Sequence, residues 1–166
     1  LVDEVDPHES ALDCRFQLGP FDLQMVTLTH SIPEPNGIAI RTPAGMVLHT
    51  GDWKIDPAPM IGEATDIDAI TAIGDEGVLA MICDSTNVFT PGESGSEGDV
   101  RDELIKVVSE CKTGKVAIAA FASNVARLQS AIQAAEANGR RVCLVGRSMH
   151  RMTAAAKAVG LLQDVQ

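Results

Sequence analysis

The hydrophobic repeat of this chain changes period near residues 85–95, and that change limits the folds open to it. Ahead of it, apolar residues alternate with polar ones. Phe21, Leu23 and Met25 alternate with Asp22 and Gln24, the period of two expected of a half-buried strand. Residues 13–18 and 21–29 read as a hairpin about Gly19-Pro20. Residues 37–42 and 46–50 read as a second hairpin, turned by Pro43-Ala44-Gly45. Four strands in meander order predict an antiparallel sheet. A Pro-rich connection over 53–65, a short helix from Asp66 to Gly74 and a fully apolar strand over 78–83 complete this part.

Beyond the change the repeat lengthens to that of amphipathic helices. Val100, Leu104, Val107, Val108 and Cys111 share one face of a helix over 97–112. Residues 115–121 read as a strand. Ser123 is the expected N-cap of a helix over about 124–138, which Asn138-Gly139 ends. Residues 141–145 read as another strand and 149–159 as a final Ala-rich helix. The order βαβα predicts a small parallel sheet with right-handed crossovers. Residues 90–98, rich in Gly, Ser and Glu, read as a linker; their glycines lack the spacing of a phosphate-binding loop.

Composition narrows the partners. Aromatics are only 3% of 166 residues, so the core is expected to rest on Val, Ile, Leu, Ala and Met. No apolar run approaches the ~18 residues of a membrane span, and the first six residues do not resemble a signal peptide. The net charge of −10 repels nucleic acid at long range, so any such role requires a local basic surface or a metal. None of the four cysteines lies in a CxxC pair. Cys83, Cys111 and Cys143 sit in apolar runs and are expected to be buried free thiols of a reducing cytoplasm. The start lacks an initiator Met, from which an internal piece of a longer chain is expected.

Three polar side chains follow strand-like runs: His30, Asp52 and Asp84. Loops at strand ends aim side chains into clefts, and imidazole and carboxylate are donors that Zn and Mn accept. Each residue alone has an ordinary explanation as a structural histidine, a turn aspartate or a cap; the three together favour a site. His49, three residues before Asp52, is expected to pack or to support a donor. His150 is expected to be exposed, and His8 lies in a polar start over 1–10. Ser123-Asn124 and Arg147-Ser148 each follow a strand and open a helix, where phosphate binds readily, although plain capping explains them equally.

Taken in order, His30-Ser31-Ile32-Pro33-Glu34, His49-Thr50-Gly51-Asp52-Trp53-Lys54-Ile55-Asp56-Pro57, Cys83-Asp84-Ser85-Thr86-Asn87, Phe121-Ala122-Ser123-Asn124 and Gly146-Arg147-Ser148-Met149 resemble ribonuclease J, the bacterial β-CASP branch of the metallo-β-lactamase superfamily. The resemblance runs from about 18 to 160. It implies an α/β (α+β) fold: part of an αββα metallo-β-lactamase sheet over 1–88, then part of a β-CASP domain with a βαβα parallel sheet over 89–166. It implies a metal-dependent ribonuclease, with 5′-to-3′ exonuclease and endonuclease activity at a site of two Zn ions, Mn substituting in some members. By the same resemblance His30 matches a metal ligand and Asp52 the aspartate bridging both metals. Asp84 matches the acid of the first β-CASP motif, a catalytic carboxylate supporting the site. Ser123, Asn124, Arg147 and Ser148 are the candidate contacts to substrate phosphate.

Two departures shape the expectation. The family's HxHxDH motif is absent, and Ala126 stands where many relatives carry His. The isolated chain is therefore expected to bind metal weakly, to cleave little RNA, and to self-associate through exposed sheet edges. A cytoplasmic location is implied. The alternatives are a non-catalytic α/β phosphate-binding or assembly module, and a metallo-β-lactamase-fold hydrolase acting on another substrate.

Overall fold

A computed structural model describes residues 8–162; part of the polar start, residues 1–7, lies outside the described residues. The sheet is built first. Strands β1 (Arg15–Leu18) and β2 (Phe21–Thr27) form the first hairpin, and β3 (Asn36–Thr42) and β4 (Gly45–His49) the second. After helix α1 (Ile67–Glu76) the chain returns as β5 (Ala80–Ile82), which lies parallel to β4. The order is β1-β2-β3-β4-β5, antiparallel except for the last pair. Helices α2 (Glu97–Glu110), α3 (Val125–Ala137) and α4 (Arg147–Ala158) follow. A five-stranded mixed sheet with four helices is the α+β arrangement expected.

Local chemistry explains the boundaries. The Asp66 carboxylate accepts from Ala69 N–H (2.8 Å) and starts α1. Ser96 does the same for α2 through Gly98 N–H (3.0 Å). At Gly45 the backbone has φ +137°, and a Cβ there would lie 2.7 Å from Leu79 Cδ2. Only glycine lets Leu79 cross so closely and donate its N–H to Met46 O (2.8 Å).

Two hydrophobic clusters form. Val26, Ala39, Met46 and Ile73 are buried between the sheet and α1. Arg41 of β3 grips Glu76 at the end of α1 with two bonds of 2.5 and 2.6 Å, fixing the helix over that cluster. Val125, Ala126, Leu128, Ile132, Ala156 and Leu162 make the second cluster, with Ile61 from the Pro-rich connection packed into it.

The structure departs from four local expectations. Residues 115–121 and 141–145 run extended but form no ladder among the described residues. They border an open cleft of about 990 Å³ over α3. Parallel strands persist where both faces are covered; here Ile118, Phe121 and Val145 remain exposed, so no second layer supports pairing. Strand β5 is likewise exposed at every position, because it is the sheet edge rather than an interior strand. Cys83, Cys111 and Cys143 are exposed and Cys14 half-buried, all as free thiols, since the surfaces that carry them are uncovered. Finally, α3 is capped by Asn124, whose Oδ1 accepts from Arg127 N–H (2.7 Å), and not by Ser123.

Candidate functional site

Sheet topology decides which loops meet. Strands β2 and β4 are each antiparallel to β3, and β5 is parallel to β4. The carboxyl ends of β2, β4 and β5 therefore lie along one edge of the sheet. His30 follows β2, Asp52 follows β4 and Asp84 follows β5, so all three are delivered to that edge.

Short bonds tie these loops together. Thr50 N–H donates to Ile82 O (3.0 Å), and Asp84 N–H donates to Thr50 Oγ1 (3.3 Å), joining the Asp52 and Asp84 loops. Lys54 N–H donates to Thr29 O (3.0 Å), an isolated antiparallel bridge that joins the Asp52 loop to the His30 loop. Gly51 turns the chain at φ +60°, and its N–H donates to His49 Nδ1 (3.0 Å). His49 is thus an exposed residue whose ring shapes the turn before Asp52.

Electrostatics link His30 with Asp84. The Thr86 hydroxyl and then the Thr86 amide, bonded to Asp84 Oδ1 at 2.5 and 2.9 Å, hold the Asp84 carboxyl below the usual range. Partial burial opposes this, and the charge of His30 adds to the lowering. Asp84 is accordingly a carboxylate at neutral pH, poised as an acceptor or a support for a cation. His30 is half-buried, with Nδ1 3.4 Å from Ser31 Oγ, while Asp52 is exposed. Among the described residues no group of three His, Cys, Asp or Glu side chains stands close enough to hold a metal ion. The donor chemistry suits a divalent cation, but the set falls short of the three protein ligands of a catalytic site.

The residues expected to hold phosphate lie at two different helix starts. At α3, the amides of Val125 (2.9 Å) and Ala126 (3.4 Å) donate to Ser31 O, so a carbonyl of the His30 loop occupies that N-terminus. Ser123 is exposed beside it, and Asn124 is committed to the cap. At α4, Gly146 caps without a side-chain bond, and Arg147 and Ser148 are exposed. His150 is exposed as expected, and so is His8.

Sequence reading missed a charged group at the base of the His30 loop. Asp56 is 3% exposed and Glu97 8%, with Lys54 and Arg127 paired to them. The available signal was an acid two residues beyond Lys54, directly before Pro57, in a stretch otherwise assigned to an irregular connection. Burial pushes the Asp56 carboxyl up. Bonds from the Glu97 and Ala58 amides, the Ser96 hydroxyl and the Lys54 ammonium outweigh it and hold the group at about 2.

Residues 113–166 match the family model described as ribonuclease J, beta-CASP domain. The chain is 48% identical over 152 residues to ribonuclease J of Sinorhizobium meliloti, covering 92% of this chain and 27% of that protein. It is 50% identical over 145 residues to ribonuclease J of Corynebacterium glutamicum (87% and 20%) and 42% identical over 156 residues to that of Thermus thermophilus (93% and 27%). The chain thus spans about a quarter of the length of these relatives. A crystal structure of an Enterococcus faecalis protein of unknown function is similar in fold, with TM-score 0.56 at 15% identity over 86% of this chain and 39% of that one. With identities of 42–50% sustained over 145–156 residues, the chain belongs, over the stretch it spans, to the ribonuclease J family.

Proposed function

We propose that this chain supplies part of the active edge of a metal-dependent ribonuclease that hydrolyses RNA phosphodiesters, as 5′-to-3′ exonuclease and endonuclease. In this reading His30 and Asp52 are metal ligands, completed by donors outside the described residues, and Asp84 is the supporting carboxylate. The division into a metallo-β-lactamase portion and a β-CASP portion falls near residues 88 and 89. When bound, two Zn or Mn ions would supply an activated water and stabilise the departing oxygen. The chain's own part is positional. Thr86 holds the Asp84 carboxyl ionised, Thr50 accepts from the Asp84 amide and so anchors its backbone, and the Lys54–Thr29 bridge carries the His30 loop to the same edge. On its own, with two donors, the chain is expected to bind metal weakly and to be nearly inactive.

The observation that carries the reading is the shared carboxyl edge of β2, β4 and β5 in a chain of this family. Charge distribution supports an RNA partner. Of 13 Lys and Arg, eight lie in residues 111–166, with only two of the 23 acids. Among the described residues, Lys115, Arg140 and Arg141 line the cleft over α3 with no carboxylate beside them; Arg127 also lines it but is paired with Glu97. That is the local basic surface an acidic chain needs to meet RNA. Arg147 and Ser148, exposed at the start of α4, are the proposed phosphate contacts, with the exposed Ser123 beside the His30 loop, whereas Asn124 serves there as the cap of α3. A cytoplasmic location follows from the same reading; among the described residues no helix is long and apolar enough to cross a membrane.

The test is hydrolysis of a 5′-monophosphorylated oligoribonucleotide by the full-length protein with Zn or Mn. His30→Ala and Asp52→Asn are expected to lower kcat by ~100-fold or more, with metal content falling by elemental analysis, and Asp84→Asn to lower kcat with metal retained. Full activity in the His30 and Asp52 variants would end this assignment.

A further inference from the structure

We propose that Lys54, Asp56, Glu97 and Arg127 form an electrostatic latch that seats the His30 loop between the sheet and helices α2 and α3, making these four positioning residues for the site. The role in a site rests on the ribonuclease reading; the latch itself rests on geometry alone.

The contacts close a ring. The Asp56 carboxylate, 1% exposed, accepts from Glu97 N–H (3.0 Å), Ala58 N–H (3.0 Å) and Lys54 Nζ (3.1 Å). Glu97 is the first residue of α2, so a carboxylate 41 positions earlier serves one of the orphan amides of that helix, beside the Ser96 cap. The Glu97 carboxylate in turn faces Arg127, with Nε to Oε2 and Nη2 to Oε1 both 3.3 Å, and Lys54 Nζ at 3.9 Å. Arg127 lies in the first turn of α3, whose Val125 and Ala126 amides donate to Ser31 O. On the other side of the loop, Asp56 N–H donates to Thr29 Oγ1 (3.0 Å), and Lys54 N–H to Thr29 O. Thr29 and Ser31 flank His30. The loop is therefore held from one side by the chain at 54–56 and from the other by α3, and the four charges connect those two sides.

The charge count explains why all four are needed. Two carboxylates share one largely buried volume, and two cations neutralise them. Removing either cation leaves an uncompensated buried charge, which costs far more than a surface pair. A cluster that only stabilised α2 would not need Arg127 from α3. Nor would it need the backbone of Asp56 on Thr29.

The 166-residue chain, kept below the concentration at which it self-associates, tests this by NMR, without metal or RNA, so its outcome is independent of the ribonuclease reading. Arg127→Gln is chosen because Arg127 is the least buried of the four, at 32% side-chain exposure, and the variant is expected to fold. Hydrogen exchange at the amides of Val125 and Glu97 is expected to quicken on the order of tenfold, with the His30 ring resonances shifting. Arg127→Lys, which keeps the charge, should restore most of the His30 position. Asp66→Ala, which removes the cap of α1, should leave the Val125 amide and the His30 resonances unchanged. If Arg127→Gln speeds exchange only within α2 and leaves the Val125 amide and His30 unmoved, the latch is refuted and the group is a local cap of α2.

Discussion

Acidification should uncover the Asp56 carboxylate as a discrete share of the stability. In the fold this group titrates at about 2; in an unfolded chain an aspartate titrates near ~3.9. The folded value is the lower one, so the ionised group stabilises the fold fully above pH ~4. That contribution fades as pH falls through ~2. The gap of nearly two pH units, at ~1.4 kcal/mol each, amounts to about 2.5 kcal/mol. Because the side chain is 1% exposed, solvent screening does not erode it as it would a surface pair. The assay is urea unfolding of the native chain and Asp56→Asn at several pH values between about 6 and 2. The native protein's advantage over Asp56→Asn is expected to shrink by about 2 kcal/mol across that range, because at pH ~2 half of the folded molecules still carry the ionised group. Asp22, Glu76 and Asp84, whose carboxyls also lie below the usual range, titrate in both proteins and cancel in the difference. An advantage constant to within ~0.5 kcal/mol from neutral to acid pH would show that Asp56 is not held ionised by Glu97, Ala58, Ser96 and Lys54, and the argument would fail.

Ile73, 1% exposed, is the side chain by which α1 seals the sheet. Ile73→Ala should cost about 2–5 kcal/mol in chemical denaturation; a loss under ~1 kcal/mol would mean that α1 does not pack there as described. The isolated chain is expected to self-associate, because Leu79, Phe89, Phe121 and Val145 are 70–97% exposed and β5 offers an open edge. Sedimentation velocity should show species beyond the monomer at tens of micromolar; a single monomeric boundary would overturn that expectation.

Local pattern determined much of this protein. Period-two alternation placed β2, turn residues set both hairpins, and the spacing of apolar residues placed α1 and α2, because turns and periodicity act over a few residues. The short motifs around His30, Asp52 and Asp84 were sufficient to indicate the family. Tertiary structure decided what depends on distant partners. Residues 115–121 and 141–145 have strand composition, yet a ladder needs a neighbour at the right separation and a layer on each face. The same lack of cover leaves β5 and three cysteines exposed where apolar runs had indicated burial. Asp56 and Glu97 are 41 positions apart, and no spacing rule joins them; their contact exists only because the chain at 54–56 and the start of α2 fold onto the same loop. Sequence carries the propensities and the reactive groups, whereas burial and charge pairing are properties of the assembled fold.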